Sequence, residues 1–268
     1  MPKAAEDAFD RRPLHQRIAA DLRDEIMSGD LVPGADLPST QRLKERFDAS
    51  NATIQKALQV LKDERLVIGR AGAAVTVREH RQETVRPADF GRPAEPGMPY
   101  RWLTEAARHG KHGSIRLLDV AEVRPPGDVA ACLAPGETEV AVIRRQLLAH
   151  DGHPVELVTS YYPIELAQGT ALAEARRIRG GTPALLADLG HPPRRTVDRV
   201  SARIPTQEQY EALQLPSDLP ILRTLRVVYT DGDRPIEVTV MAKAGHLYEL
   251  QYEFAEEGPG PSGEPRGT

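Results

Sequence analysis

One cysteine, Cys132, stands among 268 residues, so no intrachain disulfide can form and a disulfide-stapled scaffold is excluded. Aromatic residues make up only 4% of the chain, so its cores must be built mainly from aliphatic side chains. No apolar run reaches the roughly 18 residues that a membrane span needs, and no apolar leader precedes a small-residue cleavage site. These absences predict a soluble, cytoplasmic protein with no membrane partner. The net charge of −4 excludes a protein that coats nucleic acid indiscriminately. There is no glycine-rich phosphate loop and no Gly-x-Ser-x-Gly elbow. His109 with His112, and His150 with His153, make His-x-x-His spacings, but neither has an accompanying cysteine and both fall in loop-like surroundings. No catalytic residue, metal site or cofactor is expected.

What is present divides into two parts. Leu14, Ile18, Leu22 and Ile26 repeat every four residues after Pro13 and predict a helix ending at Gly29, with a Pro33-Gly34 turn beyond it. Ser39 and Ser50 each stand where an N-cap belongs, at the start of two further helical patterns. In the second of these, Ile54, Ala57, Leu58 and Leu61 share one face, while Ala52, Gln55, Lys56 and Gln59 share the other. Amides, a cation and a small residue on one face suit base edges and phosphates in a major groove. The alternative is a plain solvated surface. Leu66-Val67-Ile68 and Val75-Thr76-Val77 are strand signals separated by Gly69-Arg70-Ala71-Gly72, the pattern of a hairpin wing. Residues 39–78 carry eight Lys or Arg against four acids, whereas residues 9–36 carry four against six. The positive charge is concentrated on the helix pair and the wing, where phosphate contacts would make affinity fall with salt.

Three helices followed by a wing make a winged helix-turn-helix, and residues 12–78 resemble the DNA-binding domain of the GntR family of bacterial transcriptional regulators. The resemblance rests on Gly29, Pro33, Gly34, Leu37-Pro38-Ser39 and Gly72 in that order and spacing. It implies binding to double-stranded operator DNA through Ser39, Thr40, Gln41, Arg42, Ser50, Asn51, Ala52, Thr53, Gln55, Lys56, Gln59, Arg70 and Gly72. Gln41, Asn51 and Gln55 stand where relatives often carry charged side chains, and Ala74 replaces a second wing glycine. Amides pair with adenine at N6 and N7, so Gln55 or Asn51 is expected to read an A·T pair.

Residues 79–100 hold four prolines and two glycines without apolar periodicity and read as an extended linker, and residues 1–11 and 256–268 read as disordered ends. Between them, strand-like alternation recurs at 115–124, 139–149, 154–162, 196–204, 220–230 and 235–243. Short helices fit near Trp102 and at 128–133, 182–189 and 206–214, the last opened by a Thr206–Gln209 capping box. An antiparallel sheet carrying helices makes the whole chain an α+β two-domain protein. Alternation puts Glu156, Val158, Ser160 and Tyr162 on one strand face, and Glu237, Thr239 and Met241 on another.

The segments Asp151-Gly152-x-Pro154-Val155-Glu156, Ser160-x-Tyr162-Pro163 and Asp231-Gly232-x-Arg234-Pro235-Ile236-Glu237-Val238-Thr239 are similar to the UTRA effector domain. Residues 101–255 are therefore identified with that domain, which resembles chorismate lyase in fold. This places the chain in the HutC subgroup. The resemblance implies a homodimer on a pseudo-palindromic operator and a small-molecule effector held by Arg145, Glu156, Ser160, Tyr161, Glu237, Thr239 and Tyr248. The bland alternative makes Glu156 and Glu237 exposed, or ion-paired to Arg199, Arg203 or Arg223. A DNA-binding regulator without an effector, and a chorismate-lyase-like enzyme tethered to DNA, are the competing functions.

Overall fold

The computed structural model describes residues 10–69, 74–78, 82–87, 100–133, 140–216 and 219–254. Three helices open the chain: α1 (Leu14–Ser28), α2 (Thr40–Phe47) and α3 (Asn51–Asp63). Gly29 ends α1 in the left-handed conformation at φ 94°, where a side chain would be strained. Ser39 Oγ accepts from the Arg42 amide and Ser50 Oγ from the Thr53 amide, so both expected N-caps form. Ile18, Leu22 and Ile26 of α1 interlock with Leu43 of α2 and with Ile54, Ala57, Leu58 and Leu61 of α3. Each such buried Leu or Ile contributes about 1.5–3 kcal/mol. β1 (Val67–Gly69) and β2 (Val75–Val77) then pair antiparallel, Val67 opposite Val77, and close the winged helix-turn-helix.

The second domain is built on one antiparallel sheet of six strands: β4 (Gly113–Val123), β5 (Ala141–His150), β6 (His153–Pro163), β7 (Arg195–Arg203), β8 (Ile221–Tyr229) and β9 (Pro235–Ala244). Their order across the sheet is β4-β5-β6-β9-β8-β7. Helices α5 (Gly127–Leu133) and α8 (Gln207–Ala212) cover one face. Val129 and Leu133 pack there on Ile143, Tyr161, Leu225 and Val238, and Leu213 packs on Leu147, Leu157 and Ala242. The Thr206–Gln209 capping box forms at the start of α8. Against the other face lie α4 (Arg101–Arg108), α6 (Ile164–Ala167) and α7 (Thr182–Asp188), which cover it only in part.

One departure from the sequence reading matters for function. Residues expected to belong to a free linker form strand β3 (Glu83–Val85), which pairs in parallel with β10 (Tyr248–Leu250). The Glu83 amide donates to Leu247 O at 2.7 Å and the Gln251 amide to Val85 O at 2.9 Å. Gln82 Nε2 adds bonds to Gly245 O and Tyr248 O at 3.0 and 3.3 Å. The start of the linker is thus stitched to the end of the second domain. Gly245 permits this return: a Cβ there would stand 2.6 Å from Pro220 O, the oxygen that its own amide bonds.

Candidate functional site

The first candidate surface lies on α2, α3 and the wing. Asn51, Ala52, Gln55, Lys56 and Gln59 are exposed on one face of α3, while Ile54, Ala57 and Leu58 face the core. Gln55 Nε2 lies 3.5 Å from Thr40 Oγ1, so the two helices meet at this point. Thr53 Oγ1 lies 2.8 Å from Ser50 Oγ, which holds both hydroxyls at the helix start. Gln41 donates to Glu45 at 2.6 Å and Gln59 to Asp63 at 2.7 Å. Each of these bonds uses one of the amide's two N–H donors, so a second donor and the carbonyl oxygen remain on an exposed side chain. Arg42 is exposed beside them. Arg70 and Gly72 lie outside the described residues. A cleft of about 460 Å³ between the helix pair and the wing is lined by Ser39, Thr40, Gln55, Lys62 and Gly69, among others. Lys62 was missed by sequence reasoning because it sits at the end of α3, beyond the polar face. Its proximity to the wing follows from the β1 turn.

The second candidate is a cavity of about 440 Å³ on the open face of the sheet. Its floor follows from strand register. Arg144, Ser160, Thr239, Arg226 and Asp198 are successive partners on β5, β6, β9, β8 and β7, so one polar row crosses five strands. Gln146, Val158, Met241 and Thr224 form the next row on the same face. Alternation then brings Glu156, Tyr162, Glu237 and Lys243 to that face as well. The roof comes from β3 and the residues after it, Glu83 to Pro87, with Tyr100, Trp102 and Tyr248. Thus the chain leading from the DNA-binding head is part of the cavity wall.

Polar groups in this cavity are tightly organised. Glu237, 8% exposed, gathers three hydroxyls on its Oε1: Thr239 at 2.7 Å, Ser160 at 3.1 Å and Tyr162 at 3.2 Å. Arg226 makes a two-pronged bond to Asp198 at 2.8 and 2.7 Å and reaches Pro87 O at 3.4 Å. Glu156 pairs with Lys243. Arg144 is 1% exposed, and its Nη groups donate to carbonyls of Ala171, Leu172, Glu174 and Arg176 at 2.6–3.3 Å. Burial would raise Glu83, but the neighbouring His150 side chain and the bond from Lys111 hold it down to about 2. Burial also pushes the Tyr162 and Tyr248 hydroxyls up, so both remain hydrogen-bond donors. His150 stacks on Trp102 with ring centroids 4.8 Å apart.

Of the effector residues named from the sequence, Glu156, Ser160, Glu237, Thr239 and Tyr248 line the cavity. Arg145 and Tyr161 do not, and here the sequence reading needs correction. Both project from the opposite face, where Arg145 pairs with Glu208 of α8 and Tyr161 joins the core under α5. Their neighbours Arg144 and Tyr162 line the cavity instead, a one-residue difference that strand alternation turns into opposite faces. Neither Glu156 nor Glu237 pairs with Arg199, Arg203 or Arg223 among the described residues; Arg223 engages Asp128. Arg226 and Gln146 carried no sequence signal, since a charged or amide residue in a strand is ambiguous until its partner is known.

Comparison with known proteins matches both halves. Residues 14–77 match the model of the gntR family of bacterial regulatory proteins, and residues 108–249 match the UTRA domain. The chain is 24% identical over 253 residues to the uncharacterized HTH-type transcriptional regulator SCO4628 of Streptomyces coelicolor, covering 91% of this chain and 93% of that one. It is 25% identical over 246 residues to the HTH-type transcriptional regulator GgaR of Escherichia coli, covering 90% and 91%. In fold it is similar to the crystal structure of PhnF from Mycobacterium smegmatis, with a TM-score of 0.55, 21% identity and coverage of 90% and 100%. The chain belongs to the GntR family of bacterial transcriptional regulators, with a winged helix-turn-helix DNA-binding domain followed by a UTRA ligand-binding domain.

Proposed function

We propose that this regulator is a cytoplasmic repressor that binds a pseudo-palindromic operator as a homodimer. In this reading a small metabolite fills the sheet-face cavity and changes operator affinity. The residues that act are Thr40, Arg42, Asn51, Gln55, Lys56 and Lys62 toward DNA. Toward the effector they are Arg144, Glu156, Ser160, Tyr162, Glu237, Thr239 and Tyr248. The domain division is 12–78, a linker, and 101–255, with residues 82–87 reassigned from the free linker to the cavity wall.

The observation that carries the proposal is the position of Glu83–Pro87. This segment walls the cavity, pairs with β10 and leads directly from the wing. A ligand touching it acts on the one stretch of chain that joins the two domains. Half-sites about one helical turn apart, roughly 34 Å, suit two such heads across a twofold axis. A coupling of about 1–3 kcal/mol, or roughly 5- to 150-fold in operator affinity, is enough for a switch.

A thermal-shift screen of metabolites on the full chain, followed by operator binding with each stabilising compound, tests this. The expected result is at least one compound that raises the melting temperature and shifts operator affinity. Compounds that stabilise the fold yet leave operator affinity unchanged would remove the switch. Chromatographic appearance of a product from any hit would reassign the cavity to an enzyme, against the binding role proposed.

A further inference from the structure

We propose that the cavity selects an effector bearing a cationic nitrogen, an amine or amidinium, seated on Glu237. This rests on the effector reading above and specifies the chemical class. The inference comes from charge pairing across the cavity. Glu83 has Lys111 at 2.7 Å, Glu156 has Lys243, and Asp198 has Arg226 at 2.7 Å. Among the described residues, Glu237 has no cation within ion-pair distance. Its partners are hydroxyls, all three on one oxygen.

A carboxylate that is 8% exposed loses most of its hydration, and three hydroxyl donors on one oxygen offset part of that cost without supplying an opposite charge. A cation arriving with the ligand would offset that cost, and an anion would add to it. The Tyr100 hydroxyl supports the same sign of field: burial raises it first, and the charges of Glu156 and Glu237 raise it further against Arg226.

Three of the cavity's cations are poorly disposed to receive an anion; of the two other arginines in its lining, Arg86 donates to Gln251 at 2.9 Å and Arg177 is exposed. Arg226 and Lys243 are committed to carboxylates. Arg144 lies across Ser160 from Thr239 in the strand register, but its Nη donors are occupied by the carbonyls of the 171–176 segment. Its Nε is buried without an acceptor and offers a single donor, not the fork that phosphate or carboxylate groups take. The remaining walls, Tyr100, Trp102 and Tyr248, give an apolar and aromatic body to one side. That combination fits a compact organic cation better than a sugar phosphate.

The test uses a fragment library with equal numbers of cations, neutral molecules and anions, screened by thermal shift on the full chain and on Glu237→Gln. Tyramine, tyrosol and 4-hydroxyphenylacetate form a matched series within it, nearly one shape in three charge states, with affinities measured by calorimetry. The substitution Glu237→Gln keeps an oxygen acceptor for the hydroxyls and removes the charge. Cations should dominate the hits, bind about tenfold or more tightly than their neutral counterparts, and lose that advantage in Glu237→Gln. Hits that are mainly neutral or anionic, cationic hits unaffected by Glu237→Gln, or no cationic hit at all would overturn the proposal. The two readings fail separately. Anions that alter operator affinity would remove the cation and leave the effector switch. Cations that bind through Glu237 without altering operator affinity would do the reverse.

Discussion

His246, in the turn between β9 and β10, lies against the backbone of Glu64 at the end of the recognition helix α3. The turn belongs to the UTRA domain and the helix end to the DNA-binding domain, so this contact joins the two. Glu64 is itself 1% exposed and takes two bonds from Arg23 of α1, at 2.8 and 2.6 Å. The same turn leads from β9, which carries Glu237 and Thr239, into β10, which carries Tyr248. A change in the cavity therefore has a short path along the chain to His246 and across its contact to the end of α3, in addition to the path through β3.

Burial of His246 gives the protein an acid sensitivity. Burial first, then the charge of Arg23, push the His246 imidazole from 6.5 down to about 4, while the Glu64 backbone pulls it up and the charge of Arg65 pushes it down. Below pH 6.5 the unfolded chain binds a proton at His246 that the folded chain refuses until about pH 4, so stability falls as acid is added through that window. The loss amounts to about 3 kcal/mol at most, and above pH 6.5 the group contributes no slope. Urea unfolding from pH 4 to 8 should show this slope in the native protein and a shallower one in His246→Gln.

Arg23→Met tests the tie beneath that contact. Removing the two Arg23 donors from a buried carboxylate should cost about 2–3 kcal/mol of head stability, while an equally sized apolar change at an exposed site should cost little. Thermal unfolding of the full chain checks this, with operator binding at low temperature to confirm that the variant folds.

Arg144→Leu should loosen the segment from Ala171 to Arg176, whose four carbonyls have this guanidinium as their common donor. The expected cost is about 2–4 kcal/mol, concentrated in that segment. Faster amide exchange or proteolysis at 171–176, with the DNA-binding domain unchanged, is the readout.

On the DNA side, Gln55→Ala and Lys56→Ala should behave differently. Loss of the amide should weaken binding by about 1–3 kcal/mol on operators that preserve one base pair, and less on operators altered there. Loss of the cation should weaken all operators alike and reduce the salt slope by about one. Equal effects of the two substitutions across an operator panel would remove Gln55 from base reading.

Much of this architecture was legible in the residues. Ser39, Ser50 and the Thr206–Gln209 pair announced helix starts because capping is a local hydrogen bond between residues three apart. The apolar stripe of α1 announced the core it joins for the same reason. The cavity was legible only by halves. Alternation placed Glu156 with Ser160 on one strand and Glu237 with Thr239 on another, and only the family resemblance grouped the two pairs; on β5 two arginines stand side by side. Only the pairing of Arg144 with Ser160 decides that Arg144, not Arg145, faces the cavity. The strand at Glu83–Val85 had no local pattern at all. Three residues amid a proline-rich stretch become a strand because β10, far along the sequence, offers them a partner. The His246–Glu64 contact was invisible for the same reason.

The central claim, that the cavity and the DNA-binding surface share free energy, is tested most directly by reciprocity. For any compound that stabilises the chain through the cavity, its affinity should be measured by calorimetry with and without saturating operator DNA. The account predicts that operator changes the compound's affinity by the same factor as the compound changes the operator's, within a range of about 5- to 150-fold. Identical compound affinity with and without operator, for a ligand whose binding Glu237→Gln abolishes, would contradict it.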